Sequence, residues 1–294
     1  MRRGDAVLTV VMPLHDGAAT VGRQLDALAG QDCQHPWELV VADNGSGDGG
    51  PDLVGRWRDR IPGLRVVDAS ARRGAAAARN LGAAAARGDA LAFCDADDVV
   101  APGWLEALAG ALERHELVAG ACDHLALNAA GRADWHARSF ETAAPVAMGF
   151  LPYATSANMA ISRDAFTAAG GFDEGFARLG AAGEDIDLSW RLQLGGRELC
   201  FEPAALVYYR HRRDLRGVWR QNATYGMADV LLYKRFRAHG VRPRPLARAL
   251  RGYAGLALRA PALASRGSRG VWLRDAGHRW GRLRGSVRER VAFL

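Results

Sequence analysis

The sequence predicts an α/β protein: a mixed, mainly parallel sheet covered by helices on both faces, with a basic helical extension behind it. Three observations carry this expectation. Over the first 100 of 294 residues, short apolar runs alternate with helical patterns, as in sheets whose crossovers are helices. Two acidic clusters, Asp95-Ala96-Asp97-Asp98 and Glu184-Asp185-Ile186-Asp187, lie about ninety residues apart, the first at the end of an apolar run, where such sheets bind ligands. Charge is also unevenly placed: residues 1–206 hold 18 Lys/Arg against 28 Asp/Glu, and residues 207–294 hold 21 against 4.

The elements follow in order. Ala6–Met12 is apolar and β-branched, a first strand. Ala18–Ala29 places Val21, Leu25 and Leu28 at helical spacing. Glu38–Ala42 is a second strand, closed by the turn-rich segment Asp43 to Gly50. Asp52–Arg60 reads as helix and Leu64–Val67 as a third strand. Ala75–Arg87 is Ala-rich and helix-favouring. Ala90–Cys94 is a fourth strand, and Trp104–Arg114 a helix. Leu117–Leu127 holds one or two strands, 129–152 is poorly patterned, Tyr153–Ser162 is a strand and Asp164–Ala169 a short helix. Glu184–Leu194 is a helix with acids in its first turn, and Glu198–Tyr209 gives one or two last strands. From His211 on, helical signals and Arg dominate.

No apolar run approaches the roughly 18 residues that span a bilayer. The opening Met1-Arg2-Arg3 leads into a core strand rather than a signal peptide. Cys33, Cys94, Cys122 and Cys200 are far apart, without zinc-ligand spacing. A reduced, cytoplasmic chain is expected, although four cysteines leave room for one disulfide.

The acidic clusters point to group transfer. In an extended segment, the carboxylates of Asp95 and Asp97 share one face and suit Mg2+ or Mn2+ held against phosphates. Glu184-Asp185 at a helix start suits a general base kept ionised by the helix dipole; ordinary N-terminal capping is the alternative. Asp43 closes the second strand, where it can meet a base, cap the Gly-rich turn, or do both at once. Arg79, among small residues, offers a cation to a base or phosphates, with a solvated helix Arg as the alternative. Asp187 and Arg191 form an i, i+4 pair. Trp190 reads as core, with a sugar platform as the second option.

Five collinear segments carry a resemblance: VLTVVMPLHDGAATVGRQLDAL, VVADNGSGDGG, RRGAAAARNLGAAAARGDALAFCDADD, TSANMAISRDAFTAAGGFDEGF and GEDIDLSWRLQLGG. Together they resemble a family 2 glycosyltransferase of the GT-A fold over about the first 210 residues. The resemblance implies a catalytic domain over 1–210, with a nucleotide-binding half (1–100) and an acceptor half (101–210). It implies that Asp97 and Asp95 hold the metal and that Asp95 faces the ribose or a metal-bound water. It also implies that His211 completes the metal site, with an ordinary surface His as the alternative. Asp43 would meet the base, flanked by backbone atoms of Pro13 and Leu14, with Ala96 and Arg79 also on the nucleotide-sugar. Asp185 would be the base of an inverting transfer, and Glu184 would position the acceptor or support the loop. Arg72 and Arg73 stand where many members carry Asn and Gly, which leaves their role open. Processive members carry Gln-x-x-Arg-Trp after the base. Here Gln193 is followed by Leu-Gly-Gly-Arg197 and Glu198, so a single addition is expected.

The implied donor is a nucleotide-sugar, UDP- ahead of dTDP- or GDP-. The acceptor would be saccharide, lipid-linked or small, in cell-envelope, glycolipid or secondary-metabolite glycosylation. For 211–294, Leu273, Ala276, Trp280 and Leu283 on one Arg-flanked helical face suit an anionic membrane surface, at the inner face of the membrane. A homodimer interface and folding back onto the acidic core are the alternatives. Nucleic acid ranks last, because no recognised motif accompanies the charge. A sugar-phosphate nucleotidyltransferase is disfavoured because His15-Asp16-Gly17-Ala18 replaces its Gly-rich Arg loop. A non-catalytic scaffold is disfavoured by the intact acidic clusters.

Overall fold

The computed structural model describes residues 7–128, 135, 141–180, 182–212, 214–243 and 245–294. Most of the poorly patterned 129–152 segment before residue 141, and Arg213 of the basic run, lie outside the described residues. Eight strands form one sheet: β1 (Leu8–Leu14), β2 (Trp37–Asp43), β3 (Arg65–Asp68), β4 (Ala90–Cys94), β5 (Val99–Val100), β6 (Leu117–Asp123), β7 (Asn158–Ser162) and β8 (Leu199–Tyr208), in spatial order β3-β2-β1-β4-β7-β6-β8-β5. The first four pair in parallel, β7 runs antiparallel between β4 and β6, and β8 is parallel to β6.

Burial on both faces explains the unbroken apolar runs. From β1, Leu8, Val10, Met12 and Leu14 pack with α1 (Val21–Ala29), α2 (Gly50–Val54) and α4 (Trp104–Leu112). Val11 points the other way, toward α3 (Ala75–Ala85), α5 (Arg163–Ala168) and α7 (Glu184–Leu194). The alanines of α3 reflect close approach to the sheet: a Cβ on Gly82 would sit 2.5 Å from Val11 Cγ1. All four cysteines are free thiols.

The short α6 (Gly175–Arg178) leads toward the extension, which forms α8 (Leu215–Phe236), α9 (Leu246–Leu258) and α10 (Arg266–Glu289). Asp214 caps α8 by accepting from the Gly217 N–H at 2.8 Å. The expected boundary at 210 falls between β8 and α8, yet α8 buries Met227, Ala228, Leu232 and Phe236 in one cluster with Phe176 and Trp190. Arg235 of α8 reaches Asp187 and Asp173. Part of the extension is therefore folded back on the acidic core.

α10 lies along α8 through glycines rather than large side chains. A Cβ on Gly226 would stand 2.0 Å from the His278 carbonyl oxygen, and one on Gly281 2.1 Å from that of Ala223. Beside this contact, buried Arg282 donates from Nε to Asp229 at 2.8 Å. Gly226→Ala is expected to destabilise the protein by about 1–3 kcal/mol through overpacking, despite the roughly 1 kcal/mol helix-propensity gain. Gly255→Ala, in α9 with nothing within 4 Å of its Cβ position, should move the melting temperature the opposite way. Thermal melts of the two variants check both signs.

Candidate active site

The carboxyl ends of the parallel strands present the expected acids. Asp43 ends β2, and Asp95 follows β4 directly. The two carboxylate groups meet through one buried cation. Arg79, on α3, is only 3% exposed. Its Nη2 donates to Asp95 Oδ1 at 2.5 Å and its Nη1 to Glu184 Oε1 at 3.3 Å. The guanidinium also stands 5.9 Å from the Phe172 ring centroid. Burial opposes its charge, but Asp95 and Glu184 hold its pKa above the usual value. The sequence expectation placed Arg79 on the nucleotide. Its two carboxylate partners and Phe172 hold it between the acidic clusters.

On the Glu184-Asp185 side, Gly183 enters α7 with φ 136, a conformation that favours glycine. Asp185 Oδ2 accepts from the Ser156 N–H at 3.1 Å, and Oδ1 from the Ile186 N–H at 2.8 Å. Burial, then the charge of Glu184, push the Asp185 carboxyl up to about 6, against the lowering pull of those amides and of Arg79. Two residues on, Asp187 is fully buried and takes Arg191 Nε at 2.8 Å as well as Arg235. The helix carrying Glu184-Asp185 is thus clamped from its own turn and from α8.

On the other side, Asp95, Asp97 and Asp98 each offer a ligand oxygen, all within 4.8 Å of one another. Burial and then the Asp95 charge raise the Asp97 carboxyl; burial and then Asp97 raise Asp98 well above its ordinary range. Arg210 Nε donates to the Asp97 carbonyl at 2.6 Å, and the Arg210 N–H to Asp98 Oδ1 at 2.6 Å. Arg212 pairs with Asp97 Oδ2 at 3.5 Å. Asp98 Oδ2 is buried without a hydrogen-bond partner. Three crowded carboxylates with a buried orphan oxygen fit a hard divalent cation, which takes oxygen ligands.

The remaining candidate residues take the following positions. His211 is not part of the carboxylate cluster: its N–H donates to Asn128 Oδ1 at 2.9 Å, and its ring stacks on His124 at 5.1 Å. Asp98 stands in the cluster with Asp95 and Asp97. Asp43 Oδ1 accepts from the Ser46 N–H and hydroxyl at 3.1 and 2.6 Å, the turn-capping role. Leu14 has a buried side chain, and its backbone carbonyl accepts from the Asn44 N–H at 2.7 Å. Pro13 is partly buried, and Ala96 is buried beneath the acidic turn. Trp190 is fully buried and donates to the Leu151 carbonyl, which removes it as a sugar platform. Arg72 pairs with Glu174 at 2.9 Å, while Arg73 is exposed. Sequence reasoning missed Ser156, whose role is carried by a backbone amide and leaves no compositional signal.

A sequence profile described as glycosyl transferase family 2 matches residues 9–168, and one described as glycosyl transferase family group 2 matches 91–272. The chain belongs to glycosyl transferase family 2. A pre-mycofactocin glycosyltransferase of Mycobacterium tuberculosis is 34% identical over 233 residues, 74% of this chain and 46% of the relative. A validoxylamine A glucosyltransferase of Streptomyces hygroscopicus is 30% identical over 223 residues, 65% of this chain and 52% of the relative. The chain therefore spans about half the length of these curated relatives. Among solved structures, mannosyltransferase PcManGT from Pyrobaculum calidifontis in complex with GDP-Man and Mn2+ superposes with TM-score 0.62 at 20% identity, covering 95% of this chain and 86% of that one. S. aureus TarS in complex with UDP-GlcNAc superposes with TM-score 0.52 at 15% identity, covering 98% and 93%. These likenesses establish the GT-A fold.

Proposed function

We propose that this family member is a metal-dependent, inverting glycosyltransferase that moves a single sugar from a nucleotide-sugar to an acceptor hydroxyl. The observation that carries the reading is the Arg79 bridge, which ties the cation-suited cluster to the start of the base helix. A UDP-sugar is the leading donor, with dTDP- and GDP-sugars behind it. The acceptor belongs to cell-envelope, glycolipid or secondary-metabolite chemistry, and the enzyme works at the inner face of a membrane.

Asp95, Asp97 and Asp98 would hold Mg2+ or Mn2+. When bound, that ion neutralises the diphosphate as it departs. The residues divide the remaining work. Asp185 takes the acceptor hydroxyl proton as the new oxygen–carbon bond forms at the anomeric carbon and the bond to phosphate breaks. Its raised pKa gives it more driving force for proton transfer than an ordinary carboxylate has. Glu184, anchored by Arg79, positions the acceptor side, and Arg210 and Arg212 add positive charge beside the leaving group.

Thermal stability with UDP-, GDP- and dTDP-sugars, each with and without Mn2+, tests this. A ligand at about 100 times its dissociation constant adds roughly 2.7 kcal/mol, a shift of several degrees. The rise should require metal, single out one nucleotide, and vanish in Asp97→Ala. No shift with any nucleotide would refute the donor assignment.

A further inference from the structure

We propose that α9 and the C-terminal half of α10 form an Arg-rimmed apolar face that seats on an anionic lipid bilayer. This deepens the peripheral location proposed above and names the surface responsible.

α9 buries only Ala249 outright. At about 100° per residue, Ala249, Gly252, Tyr253 and Leu256 share one sector, and that sector meets α10. Tyr253 Oη donates to the Arg279 carbonyl at 3.3 Å, and Trp272 Nε1 to that of Leu256 at 2.9 Å. The adjoining sector holds Leu246, Leu250 and Leu258, which are 61%, 56% and 81% exposed. Exposed Arg251 closes its far edge. On α10, Trp280, Leu283 and Val287 fall within about 60° of arc and are 51%, 38% and 81% exposed. Exposed Arg284 flanks this stripe, and beyond it Arg288 donates from Nη1 to the Leu179 carbonyl at 2.9 Å.

The ties of Tyr253 to Arg279 and of Arg259 to Asp275 make the two helices antiparallel. Both helices are right-handed. Leu246 and Leu250 follow the contact sector in the sense of α9, as Leu283 and Val287 follow it in the opposite sense of α10. The arc and the stripe therefore turn to the same side of the hairpin. The sequence-based face differs: Ala276 is buried, and the exposed surface is completed by α9, whose contribution no single-helix reading contains.

An exposed apolar surface of six large side chains marks an interaction site. Its chemistry selects lipid. Arg stems can lie along the apolar boundary with their heads toward phosphates, and residues 207–294 carry 21 Lys/Arg against 4 acids. A symmetric second copy would press like-charged rims together. No helix among the described residues is long and apolar enough to cross a membrane, so the hairpin lies on the surface.

The test is co-sedimentation of the full chain with vesicles of phosphatidylglycerol and phosphatidylcholine, beside pure phosphatidylcholine. Wild type should pellet with the anionic vesicles and stay in solution with the neutral ones. Leu250→Ser/Val287→Ser keeps every charge and replaces two exposed side chains, so its melt should match wild type while its partitioning falls at least tenfold. Equal pelleting of wild type and variant would reduce the attraction to charge alone and overturn the proposal. Failure of wild type to pellet would do the same, as would a wild-type dimer that the variant converts to monomer. Vesicle binding and the nucleotide-dependent melt are read separately, so loss of either reading leaves the other standing.

Discussion

Asp185→Asn should lower turnover by about 100- to 10,000-fold, the range contributed by a positioned general base, while the metal-dependent nucleotide shift in the melt persists. The substitution keeps an oxygen that can accept from the Ser156 amide, so the loss should fall on kcat rather than on donor binding. The pH profile supplies a second readout. A base must be deprotonated to act, and burial with the Glu184 charge pushes the Asp185 carboxyl up to about 6. Activity should therefore be full above about pH 7 and fall about tenfold per unit well below pH 6. Because the Glu184 charge raises that pKa, Glu184→Gln should move the acidic limb to lower pH. A limb that stays in place in Glu184→Gln, or an Asp185→Asn enzyme of near-normal turnover, would remove Asp185 from the role of base.

The centre of the sheet was legible because β1, β4 and β6 are buried on both faces and so carry nearly unbroken apolar runs. β4 was located to the residue, and α7 likewise. What escaped was short or held by non-local contacts. β5 has two residues and exists because it pairs with β8. The expected strand over Tyr153–Ser162 pairs only from Asn158 onward, which leaves the Ser156 amide for Asp185. The extension was the least legible region. Its α8–α10 contact is made by glycines whose backbones approach closely, and such a contact leaves no apolar periodicity to read. Its exposed face is shared between two helices joined by a short connection, so neither helix shows it alone.

The acids of the site were legible for a related reason. Asp95, Asp97, Glu184 and Asp185 sit at element ends, where local pattern and chemistry coincide. Their mutual arrangement was not. Asp95 and Glu184 meet at Arg79 across sequence separations of 16 and 105 residues, and only the packing of α3 and α7 against one face of the sheet sets that meeting. A helix cation among alanines reads as bound to a base or phosphates, or as solvated, and a buried bridge leaves no local pattern.

Arg79→Met should therefore act first on stability. Removing one partner of a buried ion pair costs about 3–5 kcal/mol, because it leaves uncompensated charge, and here two carboxylates lose the same guanidinium. For a chain of this size, that corresponds to a melting temperature lower by about 6 °C or more. Arg79→Lys separates charge from geometry. A single ammonium keeps the charge but lacks the fork that reaches Asp95 and Glu184 at once. Arg79→Lys should recover much of the stability and little of the activity, since the base helix would no longer be tied to the metal-suited cluster. If Arg79→Lys recovered both, charge alone would suffice and the bridge would have no positioning role. If Arg79→Met melted like wild type, the buried pairing itself would be wrong. Adding nucleotide and Mn2+ then tells the two sides apart: in Arg79→Lys the donor should still raise the melt through Asp95 and Asp97, while turnover stays low because Glu184 is no longer anchored.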